Sequence, residues 1–160
     1  MVNEKTPQEE NYDSTADTLL HIKKVSQFLM GASKELLRRA AIHDDSKLGE
    51  NEKPYFDRLT PILKHIEYGS EEYKKSLAEL KPALEHHYKN NSHHPEHYPD
   101  GLNGMDLFDI VELFFDWKAA TERMKNGDIQ KSLDIAKGRF GLSDQLHSIM
   151  TNTVNRYPNL

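Results

Sequence analysis

His43 and Asp44 stand side by side at the end of a small apolar run, Ala40-Ala41-Ile42, and are followed by Asp45, Ser46 and Lys47. Neutral imidazole and ionised carboxylate both bind divalent metals. Adjacent on a helix end, the two side chains sit about 100° apart around the axis, so they straddle an ion rather than share a face. One His-Asp pair carries little weight. Further donors along the chain give it more: His21, then His86 or His87, then His93-His94 with His97 close by, then an aspartate on a late helix. The chain has no cysteine, which excludes disulfides, thiolate sites and cysteine nucleophiles and leaves histidine and carboxylate as the metal donors. A nitrogen and oxygen set of this size suits two close divalent ions better than one tetrahedral zinc. Two such ions serve phosphoester hydrolysis by generating a hydroxide and neutralising phosphoryl oxygens. Lys47, one helical turn beyond His43, could hold a phosphate as a point charge. There is no serine–histidine–aspartate order and no glycine-rich phosphate loop.

Helices must position these residues, since no strand pattern and no internal repeat is present. Residues 1–12 read as a polar, flexible lead-in to a single domain over 13–160. Asp13-Ser14-Thr15 caps a first helix to Met30, with Leu20, Val25, Phe28 and Leu29 as its apolar stripe and His21 on the same side. Gly31 is expected to break the chain and Ser33 to cap a second helix through Leu36, Leu37, Ala40 and Ala41 to His43. Alanines there allow close approach, bringing His21 near His43. A third helix is expected over 50–66, with Pro54 in its first turn. A fourth, Glu71 to Tyr88, carries Leu77, Leu80, Leu84 and His87 on one face, with a kink or split at Pro82. The polar stretch Asn90–Asn103 reads as a loop carrying function. A fifth helix is expected over Asp106–Lys125, its apolar face including Leu107, Ile110, Val111, Phe114, Trp117 and Met124, with Asp109, Glu112 and Asp116 on another face. One or two further helices follow, broken near Gly138 or Gly141. The expected fold is all-α, a compact bundle of about five core helices plus C-terminal helices.

Composition narrows the partners. A formal charge of -5 argues against general nucleic-acid binding. No apolar run has the length of a membrane span, and the first residues have no apolar signal region, so a soluble cytoplasmic protein is expected. A homodimer is the default expectation for assembly.

The pattern resembles the HD-domain superfamily of metal-dependent phosphohydrolases. The residues that carry the resemblance are His21-Ile22-Lys23-Lys24-Val25 and Ala40-Ala41-Ile42-His43-Asp44-Asp45-Ser46-Lys47. The later part is similar to the HD-GYP subgroup, through His93-His94-Pro95-Glu96 and His97-Tyr98-Pro99-Asp100-Gly101-Leu102. Pro95 interrupts the His-His-Glu triplet and His97 replaces a glycine, so specificity for cyclic-di-GMP is not implied. In that subgroup a helix aspartate ligates metal, and aligning Met105-Asp106-Leu107 with the start of that helix places Asp116 there. Asp109 competes, because Asp109-Ile110-Val111-Glu112-Leu113 resembles the helix of small HD nucleotidases. The chain as a whole also resembles an uncharacterised family of small, often phage-encoded HD-like proteins, through His43–Lys47, His93–Glu96 and Asp116–Ala120.

The resemblance implies a metal-dependent phosphohydrolase acting on a phosphorylated small molecule, above all a nucleotide. His21, His43, Asp44, His87, His93, His94 and Asp116 would hold one or two divalent ions (manganese, iron, cobalt, nickel or zinc). Asp44 and Lys47 would be the catalytic residues. Two rival functions share the pattern: a diiron oxygenase of the same superfamily, and a non-catalytic protein that binds a nucleotide or another protein.

Overall fold

The computed structural model describes residues 12–63, 65–66, 70–123 and 127–160. Regular structure among them is all helical: α1 (Thr15–Ile42), α2 (Lys53–Leu63), α3 (Glu71–Asn90), α4 (Leu107–Glu122), α5 (Ile129–Phe140) and α6 (Asp144–Arg156), with short 3-10 turns at Asp45–Leu48, Pro95–His97 and Gly101–Gly104. No described helix is long and apolar enough to cross a membrane. The chain divides into two compact units, Met1–Arg38 and Arg39–Leu160. The expected lead-in lies almost wholly outside the described residues.

The first unit is α1 up to its last turn. The Asp13 carboxylate accepts the Thr15 N–H at 2.9 Å and starts the helix. The expected break at Gly31 does not occur, and the two helices foreseen there are one. A glycine inside a helix costs only about 1 kcal/mol, too little to end a run of good helix formers. Ser33 caps nothing; its hydroxyl donates back to the Leu29 carbonyl at 2.9 Å.

The second unit has two apolar cores. Leu59 of α2 packs with Leu80 and Ala83 of α3, flanked by Tyr55, Phe56, Leu63 and Leu84. Phe114, Leu133, Ala136, Leu142 and Met150 bring α4, α5 and α6 together. Pro82 neither ends nor divides α3. The buried Leu80 and Ala83 on either side of it lock the helix to α2, and that packing outweighs the lost backbone bond. α2 begins at Lys53, with Pro54 in its first turn as expected, and is shorter than foreseen. The foreseen extension of α4 to Lys125 runs into residues 124–126, outside the described set.

Caps set the remaining boundaries. Ser70, Asp128 and Ser143 accept backbone N–H groups at the starts of α3, α5 and α6. Asp106 and Asp109 form a reciprocal capping box on α4. Of the two glycines considered for the C-terminal break, Gly141 makes it, at φ 71 in the left-handed region. Gly104 is required for another reason: a Cβ there would lie 2.8 Å from Tyr98 Cβ. Only glycine lets the Tyr98 ring lie against the backbone before α4.

Candidate metal centre

The donors come from four pieces of the second unit. α1 ends at Ile42, and the chain leaves it through Asp44, whose φ of 59 makes it the one described non-glycine residue in the left-handed region. Aspartate tolerates that conformation better than most residues, and such strain gathers at functional sites. The Lys47 N–H then bonds the Asp44 carbonyl at 2.9 Å and closes the first 3-10 turn. His87 lies in the last turn of α3, His93 and His94 just before the Pro95 turn, and Glu112 and Asp116 on α4.

Folding brings these donors together in overlapping groups. Asp44 Oδ1 lies 3.2 Å from His87 Nε2 and 3.5 Å from His93 Nε2. His87 Nε2 in turn lies 2.9 Å from His94 Nε2. The second Asp44 oxygen lies 3.5 Å from His43 Nε2, and Asp116 Oδ1 lies 3.7 Å from the same nitrogen. One donor atom from each of Asp44, His87, His93 and His94 falls within 4.8 Å of the others; the same holds for His43, Asp44 and Asp116, and for His43, His93 and Glu112. Asp44 thus offers one oxygen to each of two donor groups.

The outer ring nitrogens show how the inner ones are aimed. His87 Nδ1 faces Glu52 Oε2 at 2.9 Å. His43 Nδ1 and His93 Nδ1 both face Glu112 Oε1, at 2.8 and 3.2 Å. A proton held on Nδ1 by a carboxylate leaves Nε2 as a lone pair turned inward, the usual outer arrangement of a metal-bound imidazole. Inside, Asp44 Oδ1 and His93 Nε2 are buried and have no hydrogen-bond partner. Two acceptors facing each other without a proton or ion are costly in a low-dielectric site. The donor set therefore fits a divalent cation.

The carboxylates Asp44 and Asp116 stay ionised and favour a cation, whereas His43 holds a proton at pH 7 that a bound ion would have to displace. Burial alone would raise the Asp44 carboxyl, but His87, His93 and Lys47 outweigh it and hold the group far below the usual carboxylate range. Asp116 is also lowered against its burial, chiefly by His43. His94 is pushed down to about 3 by burial and by its neighbours His93 and His87, so it is neutral at pH 7. His43 rises to about 9: its hydrogen bond with Asp116 is the largest effect, burial opposes it, and Glu112 and Asp44 add to it.

Other residues named from the sequence are placed differently. Lys47 donates to Asp44 Oδ2 at 2.5 Å, at the edge of the cluster. His86 turns to the other Glu52 oxygen at 2.7 Å, so His87 is the member of that pair that joins the cluster. His97 Nδ1 donates to the Tyr88 carbonyl at 2.8 Å. His21 is exposed on α1 in the first unit and belongs to none of the donor groups. The turn at Gly31 that was to fold it back is absent.

Asp109 is committed elsewhere. Its buried carboxylate accepts from Ser92 Oγ and Tyr98 Oη, each at 2.6 Å, from an Arg39 guanidinium nitrogen at 2.8 Å and from the Asp106 N–H at 3.0 Å. Burial would raise its carboxyl, yet these donors bring it down to about 2. The folded value lies below the unfolded one, so the stabilisation is present above about pH 4 and is lost as pH falls towards 2. Tyr98→Phe removes one charged hydrogen bond. It should cost about 2 kcal/mol at neutral pH and move the acid-unfolding midpoint upward, read by circular dichroism. An unchanged midpoint would show that Tyr98 does not hold Asp109.

Two residues of the site were not foreseen as such. Glu112 appeared as part of an acidic face and of the Asp109–Leu113 stretch but not as a partner of the histidines, and its shared contact with His43 and His93 depends on which way α4 is turned. Glu52 is fully buried. Nothing in its local sequence distinguishes it from the solvated glutamates nearby.

A family model described as "Family of unknown function (DUF5662)" matches residues 10–156. The chain belongs to this family. No curated protein and no solved structure matches it. The DUF5662 match spans every residue of the cluster, and the family's description assigns no activity, so the chemistry rests on the donor set.

Proposed function

We propose that this DUF5662 protein is a metal-dependent hydrolase of phosphoesters, with a nucleotide as the substrate class. The observation that supports this most directly is the inward convergence of imidazole Nε2 atoms on Asp44, while the Nδ1 atoms of His87, His43 and His93 face the Glu52 and Glu112 carboxylates. His87, His93, His94 and Asp44 Oδ1 would hold one divalent ion. His43, Asp116 and Asp44 Oδ2 would hold a second. Bound ions of this kind make water nucleophilic at neutral pH and neutralise phosphoryl oxygens. The likeness to HD-domain phosphohydrolases supports the same reading.

The chain's own residues have defined tasks in this scheme. Glu52 and Glu112 fix the ring orientations and tautomers of His87, His43 and His93. Asp44, ionised throughout the working pH range, places one oxygen in each donor group. Lys47 at the rim pairs with Asp44 and is free in its other donor positions to meet a phosphate oxygen.

The test is metal analysis of the purified protein followed by assays on nucleotides and phosphodiesters, before and after chelation. A stoichiometric transition metal, with phosphate release that is lost on chelation and restored by metal, is expected. Two irons with visible absorption and oxygen uptake would replace this reading with the oxygenase. Metal or tight nucleotide binding without any product would replace it with a binding protein. No metal, even after soaking, would leave the histidines as packing residues.

A further inference from the structure

The first unit presents an apolar surface that the metal centre does not use. Leu19, Ile22, Val25, Leu29, Met30 and Leu37 are between 40% and 72% exposed. At 100° per residue they fall within an arc of about 140° on α1. No residue of α1 is buried. The two apolar cores of the second unit are built from residues after Arg39.

We propose that this face of α1 is a homodimer interface, covered by the same face of a second copy. The six side chains expose roughly 700 Å² per chain, close to the ~800 Å² that each partner contributes to a standard interface. That also exceeds the largest apolar patch of a typical monomer, about 300–600 Å². The stripe is self-complementary in the way a two-fold contact requires. Ile22, Val25, Leu29, Ala32 and Leu36 recur at alternating spacings of three and four, the seam of a helix pair. Ser26 and Ser33 lie within the same arc and allow close approach of two helices. A lipid surface is the weaker occupant. Lys24, Lys34 and Arg38, outside that arc, are accompanied by Asp17 and Glu35, and the chain carries a net charge of -5.

The full chain should sediment at twice its mass at micromolar concentration. Ile22→Glu with Leu29→Glu should give a monomer of unchanged helicity, and Gln27→Glu, on the opposite face, should remain dimeric. Because the chain has no cysteine, a single introduced thiol is an independent probe. In a two-fold pair, a residue near the axis meets its own copy. Val25→Cys or Leu29→Cys should therefore form a disulfide-linked dimer on oxidation, and Gln27→Cys should not. The cysteine probes decide the matter if the double glutamate variant fails to fold. A monomeric wild type would overturn the proposal, whether the stripe then folds onto its own chain or binds anionic vesicles. So would a dimer that survives both glutamates with no cross-link at positions 25 or 29.

Discussion

Purified Asp44→Ala protein should contain no stoichiometric metal and should release no phosphate from any substrate that the wild type hydrolyses. The expected effect is the largest of any single substitution, because Asp44 places one oxygen in each of the two donor groups proposed to hold an ion. Its Oδ1 lies against His87 and His93, and its Oδ2 lies beside His43. Loss of an outer partner of a metal ligand costs roughly 10–100-fold in affinity; removal of the shared ligand should exceed that. Alanine also introduces strain at a left-handed position, about 1 kcal/mol or more. Asp44→Asn separates the two effects, since asparagine tolerates that backbone and keeps the volume. It should fold like the wild type by circular dichroism and still bind no metal. Elemental analysis beside the wild type checks this. Full metal occupancy and turnover in the asparagine variant would remove Asp44 from the site.

Glu52→Ala should be the most destabilising change near the cluster, by about 4 kcal/mol. Glu52 is fully buried and each of its oxygens meets one imidazole, His86 Nδ1 at 2.7 Å and His87 Nδ1 at 2.9 Å. Truncation strands the buried His87 donor at about 1–3 kcal/mol, costs less at His86, whose side chain is 35% exposed, and adds the larger cost of a cavity. Urea unfolding should show a lower midpoint. Glu52→Gln fills the space and keeps one acceptor, so most of the stability should return. It cannot accept from both rings, so His87 loses its fixed tautomer, and metal affinity should fall roughly 10–100-fold. Comparing the two variants distinguishes a structural buried carboxylate from one that orients a ligand: equal metal affinity in Glu52→Gln and wild type would mean that Glu52 serves the fold alone.

Much of the architecture was legible in the chain because it is written locally. The all-helical class follows from three- and four-residue apolar spacing without alternation. The starts of α3 and α4 follow from Ser70 and Asp106, whose side chains satisfy backbone donors within a few residues. Pro54 in the first turn of α2 and Gly141 after α5 obey equally local rules. Gly31 and Pro82 are different. Their intrinsic costs are small enough for helix continuity or core packing to override, as the uninterrupted α1 and α3 demonstrate.

The candidate site divides along the same line. His43, Asp44, His93 and His94, with one of His86 and His87 and a late-helix aspartate that the HD resemblance placed at Asp116, could be picked out in advance because imidazole and carboxylate at helix ends, on inward faces and in one polar loop are uncommon together; His21, picked on the same grounds, joins none of the donor groups. Their pairing could not be read there. Which of His86 and His87 turns inward depends on the rotation of α3 against α2. The commitment of Asp109 to Arg39, Ser92 and Tyr98, which leaves Asp116 beside His43, depends on the loop that Gly104 allows to pack. Glu52 and Glu112 acquire their meaning only from imidazoles distant in the chain, 34 and 35 residues away for Glu52 and as far as 69 for Glu112. Residue type and spacing carry the chemistry of each group. Burial, tautomer and charge partner are set by atoms distant in sequence, and only the folded second unit brings those within 4 Å.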